Sequence, residues 1–320
     1  MFYYGCLSDN QKILYNEMLF GINRFAKEIK LPLKPINEIS MVFSYVLLDN
    51  PLIFYVSSFT YLSDLYKQKC VIKPEYKYKQ DFVRKNIDFV KAYLQKFDAL
   101  KTKSDIEKEI YVHDYCLNNF TYDNAFCDYS SSILGTVLNK AAVCEGIAKF
   151  VKLVFDYLGV NSLVVLGKAK NPINDNVEEM HTWNIVMIEG KAYHLDVTFD
   201  MSMKDKVNRY DYFNLADEDI KKEHTIIDKI PKCTVTGNDY FSQNSLVMHN
   251  SVELERFIGN SLSHGKKNII VKLKNVKNTE TIVDKVISIA QRQYGNVCKR
   301  GAGVKVKYNP VQLVFEVDFV

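Results

Sequence analysis

The run from Val143 to Asp200 constrains this chain most, because it encodes a buried helix followed by a β-hairpin. From Ile147 to Leu158 the apolar residues Ile147, Ala148, Val151, Val154, Phe155 and Leu158 recur at steps of three and four, leaving Lys149, Lys152 and Asp156 as a narrow polar stripe. That spacing predicts a largely buried helix. Gly159, followed by the β-prone NSLVVLG, predicts a helix C-cap leading into a strand. Downstream, HTWNIVMI and KAYHLDVTF read as two strands joined by a tight turn at Glu189-Gly190.

Each element carries a residue suited to thiol chemistry. Cys144, in AAVCEGIAKF, falls at the helix N-terminus, where free backbone N–H groups and the positive end of the dipole favour a thiolate and could hold an oxyanion. His181 lies eight residues before Glu189 and Asp196 six after Gly190, so the two can approach across the hairpin. A histidine oriented by a carboxylate beside such a thiol follows the logic of a Cys-His-Asp triad. His194 competes for the role of base, since it lies two residues from Asp196 and points to the same strand face. Asp200 is expected to close the strand end, and His113 and Asp114 to be structural residues of an upstream helix. The remaining cysteines, Cys6, Cys70, Cys116, Cys127, Cys233 and Cys298, read as small core residues.

VCEGIAKF, H-T-W-N and DVTFD, in that order, resemble the catalytic core of the transglutaminase-like superfamily. The similarity extends upstream through IYVHDYCLNNFTYD (110–123) and SSSILGTVLNKAAVC, and downstream to RYDYFNLADEDIKKEHT (209–225). The resemblance implies an α+β fold with a papain-like transglutaminase core, in which a cysteine-bearing helix packs on an antiparallel sheet. It implies Cys144 as nucleophile, His181 as general base and then acid, Asp196 as the group that orients the imidazole, and Trp183 packed beside the site. The implied reaction is acyl transfer from a protein or peptide amide through a thioester. The acyl group passes to water, as in a peptidase or deamidase, or to a lysine amine, as in a crosslinking transglutaminase. Hydrolysis is the favoured branch for a bacterial-looking chain with no D-x-D-x-D-G calcium loop. The oxyanion would be held by the Cys144 N–H and a group from the preceding loop, where Tyr129, Ser131 and Ser132 are the candidates. Ile147 stands where bacterial relatives often carry an aromatic residue, Lys140 where a glycine is common, and Thr182 where alanine is frequent. A non-catalytic interaction scaffold is the alternative from another class; the presence of all three reacting residue types disfavours it.

A length of 320 residues predicts more than one module: a mainly helical region over 1–104, the core over 105–232 and a small α/β unit over 233–320. In the first, Ser8-Asp9 caps a helix to about Ile29, a second helix covers Ile36 to Leu48, a strand pair lies around Ile53 to Val71, and a long helix covers Gln80 to Leu100. Ser104 or Asp105 begins the next. In the last, a strand near Tyr240 to Met248, a helix from Ser251 to Leu262, NIIVKL, a helix from Thr279 to Tyr294, VKVKY and QLVFEVDFV predict a ferredoxin-like sandwich.

Residues 250–320 hold 12 Lys/Arg against 6 Asp/Glu in a chain of net charge +4, yet the charges are dispersed and no RNA-binding aromatic motif accompanies them. A nucleic-acid partner is therefore disfavoured. Seven cysteines without a C-x-x-C argue against a disulfide framework and a zinc site. No cofactor-binding loop is evident, GAG at 301–303 being too short, and no cofactor is expected. MVFSYVLLDNPLIFYV is interrupted by Asp49, Asn50 and Pro51, so no membrane span is expected, and MFYYGCLSDNQK lacks the features of a signal peptide. A cytoplasmic protein is the expectation, or an exported or surface-anchored one if the N-terminus is truncated.

Overall fold

The computed structural model describes residues 1–171, 174–276, 280–298 and 303–320. The chain opens with helix α1 (Phe2–Gly5) and α2 (Asp9–Asn23). Ser8 caps α2 in a reciprocal box with Gln11. Helix α2 stops short of the predicted Ile29: Phe25 takes a φ of 55°, and strand β1 (Ile29–Pro32) folds back. Gly21 permits this, because a Cβ there would lie 2.5 Å from the Ile29 side chain. Helix α3 (Ile36–Asp49) follows as predicted. The hairpin β2 (Val56–Asp64) and β3 (Lys69–Tyr76) extends past the predicted Val71 and builds a sheet of order β1-β3-β2. Helix α4 (Gln80–Leu94) passes into a 3-10 turn at Gln95–Leu100, and Ser104 caps α5 (Asp105–Asn119) with Glu107.

Strands β4 (Thr121–Tyr122) and β5 (Ala141–Ala142) pair in parallel and bracket the loop before the nucleophile. Helix α6 (Cys144–Leu158) ends at Gly159, which adopts the predicted left-handed cap with φ 76°. Strands β6 (Ser162–Asn171), β7 (Asn174–Ile188), β8 (Lys191–Leu195) and β9 (His224–Ile226) form an antiparallel sheet of order β8-β7-β6-β9. Glu189 and Gly190 take φ values of 51° and 76°, the left-handed pair that a two-residue hairpin turn requires. Helix α6 lies on this sheet, and the Asn184 amide stitches the two layers by donating to the Ala148 and Leu163 carbonyls. The molecule is thus α+β, with the cysteine-bearing helix packed on an antiparallel sheet in the papain-like manner.

KAYHLDVTF is not one strand. It leaves the sheet after Leu195 because Asp196 accepts from the Thr198 and Phe199 N–H groups and starts helix α7 (Val197–Met203). Beyond it come α8 (Asp217–Ile220), α9 (Tyr240–Gln243), β10 (Val247–Met248), α10 (Ser251–Ser263), β11 (Asn268–Leu273), α11 (Glu280–Val297), β12 (Val304–Asn309) and β13 (Val314–Phe319). Their sheet has the order β10-β11-β13-β12. The chain sequence β-α-β-α-β-β joins the last two strands as a hairpin, which differs from the expected ferredoxin-like sequence β-α-β-β-α-β. Tyr240 begins a helical turn rather than a strand, because Asp239 caps it through the Ser242 N–H and hydroxyl. Thr279, the expected start of a helix, and Gly301 and Ala302 lie outside the described residues. Among the described residues no helix is long and apolar enough to cross a membrane.

The C-terminal sheet is fastened to the segment after α7 by a buried cation. The Arg209 guanidinium makes paired bonds to Asp211 at 2.9 and 2.8 Å and a third to Glu316 of β13 at 3.2 Å. Asn309 donates to the Tyr212 hydroxyl, and Gln312 to the Asp219 carbonyl and the Glu223 carboxylate.

Gly146 is a packing requirement of the nucleophile helix. A Cβ there would stand 2.3 Å from the Ser130 carbonyl oxygen, 2.8 Å from the Ala142 Cβ and 2.9 Å from the Ser132 carbonyl oxygen. Alanine is ordinarily the better helix former by about 1 kcal/mol. Here Gly146→Ala is expected to destabilise by roughly 1–3 kcal/mol through overpacking, measured as a lower urea midpoint; an unchanged or higher midpoint would refute this account.

Candidate active site

The backbone before Cys144 is held by the Val143 N–H, which donates to the Ser130 carbonyl at 3.0 Å, and no side chain caps the N-terminus of α6. Lys140 closes that loop in the left-handed region, with φ 57°, and its ammonium reaches the Tyr93 hydroxyl at 2.6 Å. A lysine thus occupies a conformation that glycine adopts more readily.

His181 is delivered by β7 opposite Gly167 of β6. Gly167 leaves room for the Trp183 indole, to which a Cβ would come within 2.5 Å, and the indole lies nearly parallel to the imidazole at 6.0 Å. The His181 Nε2–H donates to Asp196 Oδ2 at 2.6 Å. That leaves Nδ1 as the ring nitrogen available to Cys144, which adds to the rise in the imidazole pKa.

Asp196 is fully buried and saturated. Oδ1 accepts from the Thr198 and Phe199 N–H groups, both at 3.0 Å, while Oδ2 accepts from His181 and from His224 Nε2 at 2.9 Å. Burial alone would raise its pKa, but the two histidines outweigh burial and hold the carboxyl far below the usual range. Burial also opposes charge on His181. The Asp196 charge and hydrogen bond overcome it, Cys144 adds to them, and His181 is pushed up to about 10.

His194 belongs to a separate network. Its Nδ1 accepts from the Trp183 indole N–H at 3.0 Å and its Nε2 bonds Asp217 at 2.9 Å. Burial drives its pKa down to about 4 despite Asp217, so it is a neutral brace for Trp183. Asp200 does not close a strand; it lies in the first turn of α7, accepting from the Tyr212 N–H and bonded to His113 Nε2 at 3.1 Å. His113 also meets Asp114 through Nδ1, and burial notwithstanding, the two carboxylates push it up to about 9, tying α5 to α7.

Of the loop candidates, Tyr129 packs its ring against Tyr78 and Phe82, and its carbonyl accepts the Ser132 hydroxyl at 2.9 Å. Ser131 is exposed. Tyr122 is a nearer neighbour of Cys144: burial, with Cys144 adding to it, pushes its phenol up to about 12. Tyr122 and His224 are the two positions around the site that sequence reasoning missed. Tyr122 is brought near by the parallel β4–β5 pairing, and His224 by β9 joining β6. Their only signal was membership in the stretches FTYD and KKEHT of the resemblance.

His181, Asp196 and His224 bring three ligand-type atoms within 4.8 Å of one another, as do His194, Asp217 and Cys233. In the first set these atoms are hydrogen-bonded through Asp196, and in the second the neutral His194 is hydrogen-bonded to Asp217, so both are satisfied as they stand. The seven cysteines all lie among the described residues and none is in a disulfide; Cys70, Cys116 and Cys233 are buried as expected, whereas Cys6 and Cys127 are exposed. Burial pushes the Cys233 thiol up to about 12 and raises those of Cys6, Cys70 and Cys116.

Residues 80–197 match the sequence model of the transglutaminase-like superfamily, a stretch that includes Cys144, His181 and Asp196. Among solved structures, a crystal structure of a TGase is similar at 16% identity and a TM-score of 0.30, covering 57% of this chain and 53% of that one. A candidate cysteine protease from Cytophaga hutchinsonii is similar at 14% identity and a TM-score of 0.27, covering 44% of this chain and 61% of that one. A candidate protease from Parabacteroides distasonis is similar at 14% identity and a TM-score of 0.21, covering 44% of this chain and 36% of that one. The chain thus spans less than two thirds of each. No curated protein matches it.

Folding raises His181 from 6.5 to about 10, so its pairing with Asp196 contributes stability in full below pH 6.5 and loses it as pH rises through 10. The difference in unfolding free energy between the wild type and His181→Gln is expected to be largest near pH 6, on the order of a few kcal/mol. It should shrink steadily toward pH 10 in urea titrations; a difference that is flat with pH would mean that the ring folds neutral.

Proposed function

We propose that the protein catalyses acyl transfer on protein or peptide amides through a thioester on Cys144, with hydrolysis as the outcome. The observation that carries the reading is the buried His181–Asp196 pair at 2.6 Å, with Cys144 at the start of α6, the helix that the Asn184 amide ties to the strand bearing His181.

An imidazolium beside a sulfur favours the thiolate. The sulfur attacks the amide carbonyl carbon, and the π electrons move to oxygen. That oxyanion meets the Cys144 N–H at the uncapped helix N-terminus, where the backbone dipole favours negative charge. His181 gives its proton to the amide nitrogen as the C–N bond breaks, leaving a thioester and a neutral ring. Water then enters, the ring takes its proton, and the second tetrahedral intermediate collapses to acid and thiolate. Asp196 keeps its charge throughout, because four donors stabilise it. Trp183 walls the site and fixes the plane of the imidazole. If a lysine amine enters instead of water, the same cycle gives crosslinking.

Peptide mass spectrometry after brief iodoacetamide treatment at pH 6 to 7 tests the reading. Cys144 is expected to label ahead of the more exposed Cys6 and Cys127, and the His181→Ala protein to lose that advantage by about 10- to 100-fold. Cys144→Ala should keep the wild-type circular dichroism while forming no thioester with an amide substrate. Faster labelling of Cys6 or Cys127, with Cys144 indifferent to His181, would favour a binding scaffold.

A further inference from the structure

We propose that His224 is a positioning residue of this site, whose Nε2–H holds the Asp196 carboxylate in place for His181 through every charge state of the reaction cycle. The inference rests on the acyl-transfer reading above. Its basis is a hydrogen bond and the strand register that aims it. Asp196 Oδ2 accepts from His181 Nε2 at 2.6 Å and from His224 Nε2 at 2.9 Å, so two imidazoles share one oxygen. His181 of β7 lies opposite Gly167 of β6, and His224 of β9 lies opposite Ala169 from the other side of the same strand. Gly167 and Ala169 are two residues apart and share a face of the sheet. Two small residues on the middle strand thus let both rings reach over it, with centroids 5.5 Å apart, toward the carboxylate that follows β8.

The surroundings of His224 leave it this one polar contact. Its ring is buried against Phe199, Trp183 and Tyr212, at 4.6, 5.1 and 6.0 Å between centroids. Nδ1 is buried and has no hydrogen-bond partner among the described residues, so the ring carries its proton on Nε2, where Asp196 accepts it. The other ionisable groups nearby are committed elsewhere. His194 is held between Trp183 and Asp217, and Glu223 accepts from the Tyr212 hydroxyl and the Gln312 amide.

The role follows from how charge moves in the cycle. Oδ1 of Asp196 is held by the cap of α7, through the Thr198 and Phe199 N–H groups, whereas Oδ2 is held by the two imidazoles alone. His181 gains and loses a proton in each turn, and its attraction for Asp196 weakens whenever the ring is neutral. His224 changes neither charge nor partner in those steps. Its N–H therefore keeps Oδ2 where the His181 Nε2–H needs it when the imidazolium forms again. The same bond stabilises the carboxylate as an anion, which keeps the shared proton on His181 rather than on Asp196. Without this donor the imidazolium has a less well placed counter-anion, and the Cys144 thiolate that it stabilises needs a higher pH to form.

The test is the rate of Cys144 alkylation by iodoacetamide, read by peptide mass spectrometry from about pH 4 to 9. Wild type is compared with His224→Leu, which removes the donor, and with His224→Gln, whose amide offers an N–H at similar reach. His224→Leu is expected to move the acid limb of the profile up by about one pH unit, a roughly 10-fold loss of rate on that limb, the size of one hydrogen bond to a charged group. His224→Gln should stay within about twofold of wild type. Cys70, Cys116 and Cys233, buried in the native fold, report by staying unlabelled that each variant is folded. Should leucine not pack, His224→Met repeats the comparison with a more adaptable side chain. An acid limb that does not move in the leucine protein would overturn the proposal by making the bond idle. A limb moved to lower pH would overturn it by making His224 a competitor of His181 for the oxygen, and equal shifts for leucine and glutamine by assigning the effect to packing. A wild-type Cys144 that titrates as an ordinary thiol would overturn the acyl-transfer reading, and this inference with it.

Discussion

The Asp196 carboxylate fastens together three elements that are distant in sequence. One oxygen caps α7 through two backbone N–H groups, and the other binds His181 of β7 and His224 of β9. A buried carboxylate without donors would be costly or protonated; with four it is charged and immobile. The helix cap is what turns the chain out of the sheet at Leu195, so the device that ends β8 also aims the acid at the imidazole. Charge on His181 follows from this anchor, since only a paired anion can offset the desolvation of a buried imidazolium.

Around that anchor the site is built from close approaches that particular small residues allow. Gly167 admits the Trp183 indole between β6 and the loop above it, and Trp183 is then pinned by the neutral His194, itself held by Asp217. Gly146 lets α6 press against the Ser130 and Ser132 carbonyls, which fixes the start of the helix that carries Cys144. Cys144, His181 and Trp183 are each located by backbone packing, so their geometry does not depend on the mobility of long side chains.

Much of this was legible in the sequence because it is local. The stripe from Ile147 to Leu158, the cap at Gly159, the Glu189-Gly190 turn and the Ser8 and Ser104 caps are short-range patterns with short-range causes, and the structure has each of them. What escaped is tertiary. Helix α2 gives way to β1 because Ile29 finds a seat against Gly21, which periodicity cannot foresee. The second strand of the hairpin was read too long because an aspartate can end a strand by capping a helix, and DVTF has the apolar look of either. Tyr122 and His224 were invisible as neighbours of the site for the same reason. Each meets the site through strand pairing, with Ala142 across β4–β5 and with Ala169 across β6–β9, and pairing across such separations leaves no local signature.

The basic composition of the C-terminal part acquires a different meaning once its partners are seen. Lys274 pairs with Asp239 at 3.5 Å, Lys307 pairs with Asp205, and buried Lys272 feels Asp239 first and then Asp219. In the other direction, Arg209 reaches out to Glu316 of β13. Cations and acids are thus exchanged across the contact between the last sheet and the segment from 205 to 239, so part of the positive charge that invited a polyanion reading is balanced within the chain. The same contact runs on toward the active site. Asn309 donates to the Tyr212 hydroxyl, which donates to Glu223, and the Tyr212 ring packs against Phe199 and His224, the second histidine on Asp196. The C-terminal sheet therefore supports, through one tyrosine, the aromatic layer in which the Asp196 carboxylate is buried.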